Sequence, residues 1–141
     1  MSDSPISPRI DGDTATYPSG SRLVDSGLVA DNAVSAGGGS GSLARGSAAS
    51  AGGMWMGVSK LPPGHQSVPH HHQDQTSIVC VVEGAMRFRV HGPGGHEEFT
   101  AAAGQIAVIP GGLVHEEFND LDVECVCVVT RNSETPVVRN V

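Results

Sequence analysis

The chain is poor in aromatic residues: Phe, Trp and Tyr make up 4% of its 141 residues. It is also poor in basic side chains, with 8 Lys and Arg against 15 Asp and Glu and a formal net charge of −7. The few basic residues are scattered. Nucleic acid and anionic membranes are bound through clustered Lys and Arg, so neither is an expected partner. Cysteine is scarce as well: Cys80, Cys125 and Cys127 all sit in apolar runs. An odd, sparse set argues against a disulfide framework and fits a reducing compartment. The start MSDSPISPRI has no basic residue followed by an apolar run, so a cytoplasmic location is expected. Cys125 and Cys127 share one face of a strand-like segment and read as small buried hydrophobes in preference to thiolate ligands. No stretch has the length of a membrane-spanning helix. Helix-forming runs are hard to find, which leaves β structure.

What is present supports that. Glycine is abundant, with 19 residues, and the length suits one domain with a tail. Residues 1–20, rich in Ser, Pro, Asp and Gly, read as an N-terminal arm that is mobile or docks on something. Residues 21–141 then form a single domain. Arg22-Leu23-Val24 is a first short strand. Residues 35–53 read either as a flexible loop or as edge strands of small residues broken by glycine. From Met54 the texture changes. MWMGVSKL, TSIVCVV, AMRFRV, HEEFTA, QIAVIP, LVHEEFN and DVECVCVVT are strand candidates separated by Gly, Pro, Asn or Asp. In AMRFRV the period is two, which puts Met86, Phe88 and Val90 on one face and Arg87 and Arg89 on the other. Gly92-Pro93-Gly94-Gly95 is a hairpin loop. About eight to ten short strands with regular turns point to a β-sandwich or barrel.

Two segments carry chemistry. Residues 69–77 read PHHHQDQTS. Alternate strand residues share a face, so His70 and His72 project together and His71 points away. The second segment spaces Gly104, Pro110, Gly112, His115 and Asn119, and its histidine lies on another strand just past a turn. Imidazole suits several first-row metals alike. His65, His71, His91 and His96 lack such spacing and read as solvated, with His71 also a candidate to support a ligand from behind.

These paired segments resemble the two motifs of the cupin superfamily across roughly residues 54–130. The second motif matches at every fixed position: Gly104, Pro110, Gly112, His115 and Asn119. The first matches at Gly64, His70, His72 and Gly84 but lacks its usual glutamate, whose place falls on Thr76 or Ser77. The resemblance implies an all-β fold, a cupin-type antiparallel β-barrel or jelly roll with little or no helix. It also implies a divalent metal held by His70, His72 and His115. Gln75 is the expected fourth ligand, because it shares the face of Ser77 if the strand runs unbroken; Gln73 or water are the alternatives. Three imidazoles and an amide would cancel none of the ion's charge and favour polarising carbonyls.

The HHHQDQ segment, the complete second motif and the Gly/Ser/Ala-rich region before Met54 look like the zinc-containing cupin polyketide cyclases of bacterial aromatic (resistomycin-type) biosynthesis. That resemblance implies a non-oxidative, aldol-type ring closure in a poly-β-ketone chain, with Zn the expected ion and Fe, Ni or Mn the alternatives. Glu117, two residues from His115 on the same strand face, is the candidate proton carrier. Small residues in the strands either leave room for a large, flat ligand or pack as ordinary core. A metal-dependent cupin dioxygenase and a non-catalytic small-molecule-binding cupin are the competing functions. The polyketide substrate is the expected partner, with an acyl carrier protein implied only by the cyclase reading. Monomer and homodimer both remain open.

Overall fold

The structure, a computed structural model, describes residues 4–26, 34–36, 43–45 and 48–141. The expectations for residues 1–3 and for 37–42 and 46–47 lie outside these. Among the described residues there is no helix, and every strand pairing is antiparallel.

The first three strands, β1 (Arg9–Asp11), β2 (Thr14–Thr16) and β3 (Arg22–Val24), form a small sheet of their own. The expected arm therefore has structure from Arg9 onward. Next come β4 (Val34–Ala36), β5 (Leu43–Arg45) and β6 (Ala49–Ala51), each three residues long. The edge-strand reading of residues 35–53 is the one observed here: β5 and β6 both pair with β7 (Met54–Leu61).

The remaining strands are β8 (His70–His71), β9 (Ser77–Glu83), β10 (Ala85–Gly92), β11 (Gly95–Ala102), β12 (Ile106–Ile109), β13 (Val114–Phe118), β14 (Cys125–Arg131) and β15 (Arg139–Asn140). They form two facing sheets. One runs β11-β10-β13-β8-β15; the other runs β12-β9-β14-β7-β5-β4. This is the expected all-β jelly roll. The hairpin of β10 and β11 closes at Gly92↔Gly95. The tight turn between β9 and β10 needs glycine: Gly84 has φ 76°, and a Cβ there would stand 2.8 Å from the Glu124 carbonyl oxygen. Any side chain would push β14 away.

Between the sheets lies the core: Leu61, Val79, Val81, Met86, Phe88 and Val90 with Ala101, Ala107, Ile109, Cys125 and Cys127. Alternation explains it. Met86, Phe88 and Val90 point in, and each such buried side chain contributes about 1.5–3 kcal/mol. Arg87 and Arg89 point out over the Phe118 ring, 4.0 and 5.2 Å from its centre. Cys125 and Cys127 are buried free thiols, as expected, and burial raises the Cys125 pKa to about 11. The outer face of the second sheet leaves Ile78, Val82, Ile106 and Val108 exposed.

Candidate metal centre

The register of the first sheet assembles the histidines. His70 on β8 is the direct cross-strand partner of His115 on β13. His72 follows two residues later, and its ring turns to the same side. The ring centres lie 4.4 Å apart for His70 and His115, 5.0 Å for His70 and His72, and 5.1 Å for His72 and His115. All three are buried, and one nitrogen from each falls within 4.8 Å of the others.

Backbone carbonyls fix which nitrogen that is. Nδ1 of His70 meets the Val68 oxygen at 2.8 Å, Nδ1 of His72 the Val137 oxygen at 2.8 Å, and Nδ1 of His115 the Leu113 oxygen at 3.0 Å. A carbonyl only accepts, so each Nδ1 carries a proton, and each ring when neutral turns an Nε2 lone pair inward. Glu117 joins them from β13. Its Oε1 stands 3.5 Å from Nε2 of His115 and 3.8 Å from Nε2 of His70. Lone pairs facing one another need a proton or a cation between them. The donor set, imidazoles with one carboxylate, fits a first-row divalent ion.

The electrostatics follow the same geometry. Burial lowers the His72 pKa to about 4, and the Arg131 charge adds to the effect. Burial also lowers that of His70, against the pull of Glu117. For His115 burial acts downward too, but the hydrogen bond and charge of Glu117 outweigh it and the pKa rises. Glu117 loses solvation, which acts upward, yet its bond to His115 and the three imidazoles bring it down to about 2.

A cavity of about 90 Å³ opens above the cluster. Leu61, Val79, Met86, Ile109 and Val129 make its apolar wall, while His65 and Arg131 add polar groups. The wall mixes these side chains with smaller ones, among them Ser59, Ser67, Ser77 and Cys127.

Two expectations are corrected here. Gln75 does not line the cavity. Its Nε2 donates to the Thr135 carbonyl at 3.0 Å, and its Oε1 accepts from the Val137 N–H at 3.2 Å. The parity argument fails because the strand is broken: Gln73 has φ 56°, and the Gln75 N–H closes a turn onto the His72 carbonyl. Gln73 is exposed on the same turn. That turn also packs against Gly111, where a Cβ would collide with the Asp74 backbone. A negative charge, from Glu117, thus stands beside the imidazoles where none was expected. The second correction is His65. It is 3% exposed and not solvated, and its Nδ1 has no hydrogen-bond partner among the described residues. A lone histidine after Gly64 carries no periodic signal that would have revealed this. His91 and His96 are exposed, as expected.

Arg131 was also missed. It shares parity with Cys125 and Cys127 along β14, and that was the available signal. Asn119, by contrast, has a clear structural task. Its side-chain nitrogen donates to the carbonyls of Leu61, Pro62 and Val123, locking the loop after β13 to the end of β7.

The Cupin domain family model matches residues 57–131, which span both motifs. Oxalate oxidase 1 of Hordeum vulgare is 33% identical over 88 residues, covering 60% of this chain and 44% of that protein. A solved oxalate oxidase in complex with the substrate analogue glycolate is 32% identical, with TM-score 0.59 over 63% of this chain and 46% of that one. A mutant of the Bacillus subtilis oxalate decarboxylase shares the fold at 16% identity, with TM-score 0.66 over 81% of this chain and 31% of that one. The chain thus spans under half the length of these relatives. Among the described residues no helix is long and apolar enough to cross a membrane.

Proposed function

Because this chain belongs to the cupin domain family, we propose that it is a metal-dependent enzyme whose ion is held by His70, His72, His115 and Glu117. One observation carries this: three Nδ1-protonated imidazoles gather at one buried point, and the Glu117 carboxylate stands against two of them. When bound, a divalent ion supplies Lewis acidity toward carbonyl and carboxylate oxygens, and redox chemistry as well if it is iron or manganese.

The finer reading is non-oxidative enolate chemistry on a β-polyketone, closing a ring by aldol addition, with Zn as the ion. Its support is the motif-level resemblance together with the apolar side chains in the cavity wall, against which a chain could pack. With a cavity of about 90 Å³, only a segment of such a chain enters. A carboxylate with a pKa of about 2 is a weak base near neutral pH, so we assign Glu117 to holding the ion. His65 takes the proton-carrying role. Burial lowers its pKa, so the ring is neutral at pH 7, and its Nδ1 lacks a partner in the protein.

A second reading is oxidative turnover of a small acid. The cavity size favours it, as does the likeness to an oxalate oxidase at 33% identity. Elemental analysis after expression without added metal, followed by oxygen-electrode traces, separates the two. Zn with anaerobic conversion of a linear triketone supports the cyclase. Manganese or iron with oxalate-dependent oxygen uptake overturns it. A protein that takes up no divalent metal would end both readings.

A further inference from the structure

The cavity has two polar ends. At one, Arg131 pairs across the sheet with Trp55 near the start of β7, and its guanidinium is engaged by Ser77 and stands 3.4 Å from Nε2 of His72. At the other, β7 stops at Leu61 and the chain turns through Pro62, Pro63 and Gly64 to His65. The His65 N–H donates to the Pro62 carbonyl at 3.1 Å, and the His65 carbonyl accepts from the Asn119 N–H at 2.8 Å. Its backbone is therefore fixed on both sides. His65 lines the cavity beside Leu61 and Met86 and is 3% exposed, yet Nδ1 of its ring has no hydrogen-bond partner among the described residues. A buried polar atom among apolar side chains calls for a partner, and here the described chain supplies none.

We infer that His65 sets the specificity of the cavity: its imidazole hydrogen-bonds an uncharged oxygen, ketone or hydroxyl, of a substrate whose neighbouring oxygen meets the metal centre. This names the substrate class of the site proposed above and rests on that reading. The electrostatics at this end disfavour an ionised oxygen. The charged group that acts on His65 is Glu117, which is negative. Burial lowers the pKa of the ring against the pull of Glu117, so the ring is neutral at pH 7 and offers a carboxylate no opposite charge. An anion seated there would give up its water to face a carboxylate and an uncharged ring. A neutral imidazole has one N–H and one lone pair, so it serves a ketone by donating and an alcohol or enol by accepting. Hydroxy ketones and β-polyketones carry two such oxygens a few bonds apart. A dianion such as oxalate binds without using His65.

The test loads the full chain with zinc and titrates it calorimetrically with diacetone alcohol, an uncharged β-hydroxy ketone, and separately with oxalate, with zinc content measured before and after. Wild type binds the hydroxy ketone and keeps its zinc. His65→Leu removes both ring nitrogens and should bind the hydroxy ketone about three- to tenfold more weakly. Its affinity for oxalate and its zinc content should be unchanged. Its melting temperature should equal or exceed that of wild type, because no buried nitrogen is left unpaired. His65→Gln keeps a donor and an acceptor and should recover part of the lost affinity. Equal binding of the hydroxy ketone by wild type and His65→Leu overturns the inference, as does its absence from zinc-loaded wild type. An equal fall in affinity for both probes overturns the selection of an uncharged oxygen. A purely structural role for His65 would lower melting temperature and zinc content together in His65→Leu, and that result overturns the inference too. In all of these wild type still holds zinc and the metal centre stands. Wild type that fails to hold zinc removes the metal-centre reading and this one with it.

Discussion

Strand β13 carries two adjacent glutamates, one on each face, and their surroundings differ in kind. Glu116 turns outward, where its carboxylate meets Nε2 of His91 at 3.2 Å and the Arg89 guanidinium at 3.7 Å. Glu117 turns inward to two imidazoles whose tautomers the backbone has already set. Both are carboxylates beside basic nitrogen. On the outside, Glu116 is covered, but its partners Arg89 and His91 are partly exposed and free to move. On the inside, Glu117 meets imidazoles that are themselves buried, so each group perturbs the others. A one-residue step along a strand separates a pairing with mobile outer side chains from the candidate metal centre.

The comparison breaks most completely at the histidines. His115→Ala or His70→Ala should abolish metal retention, taking zinc content after dialysis from about one ion per chain to near none; full retention would show that the ion sits elsewhere. Next in size is a pH effect confined to the inner face. The His72 pKa is lowered to about 4 in the folded chain, so the unfolded chain binds the extra proton first as pH falls. Stability from this group is whole above pH 6.5 and is lost as pH falls toward 4, by up to about 3 kcal/mol. Thermal melts of metal-free protein across that range should show it, and His72→Asn should flatten the slope.

The two glutamates themselves give the sharpest contrast. Glu117→Gln should weaken zinc binding by about ten- to hundredfold in competition with a chromogenic chelator. Glu116→Gln should leave it within about twofold and cost at most about 1 kcal/mol in urea melts. Equal effects would erase the distinction between the faces. Smallest of all is Gln75→Ala. It removes two hydrogen bonds to the C-terminal segment, for about 1 kcal/mol of stability, and leaves zinc content unchanged. Loss of zinc in that variant would return Gln75 to the ligand set.

What could be read from the sequence was what repeats or keeps a fixed spacing. Met86, Phe88 and Val90 were placed correctly because period-two alternation is a property of the strand itself. His70, His72 and His115 were found because two spaced segments agreed. Gln75 was misplaced because parity holds only while a strand stays straight, and the backbone reverses at Gln73. His65 and Arg131 were missed for another reason. Each is a single polar residue whose burial depends on strands that join it only in the folded chain. The small strands β4 to β6 sit in a stretch whose composition fits a loop equally well, and only their pairing with β7 and each other gives them order.

The C-terminal segment reaches back over the histidine strand. Val137 fixes the His72 tautomer, and Arg139 and Asn140 pair with β8. The partner of His72 is made 65 residues after it. At a synthesis rate of about 5–20 residues per second, that delay is roughly 3–13 s. For that time a nascent chain carries His72 with its ring unset, beside imidazoles free to meet whatever ion is abundant. His72 is therefore held in its inward-facing tautomer only once this later segment is in place.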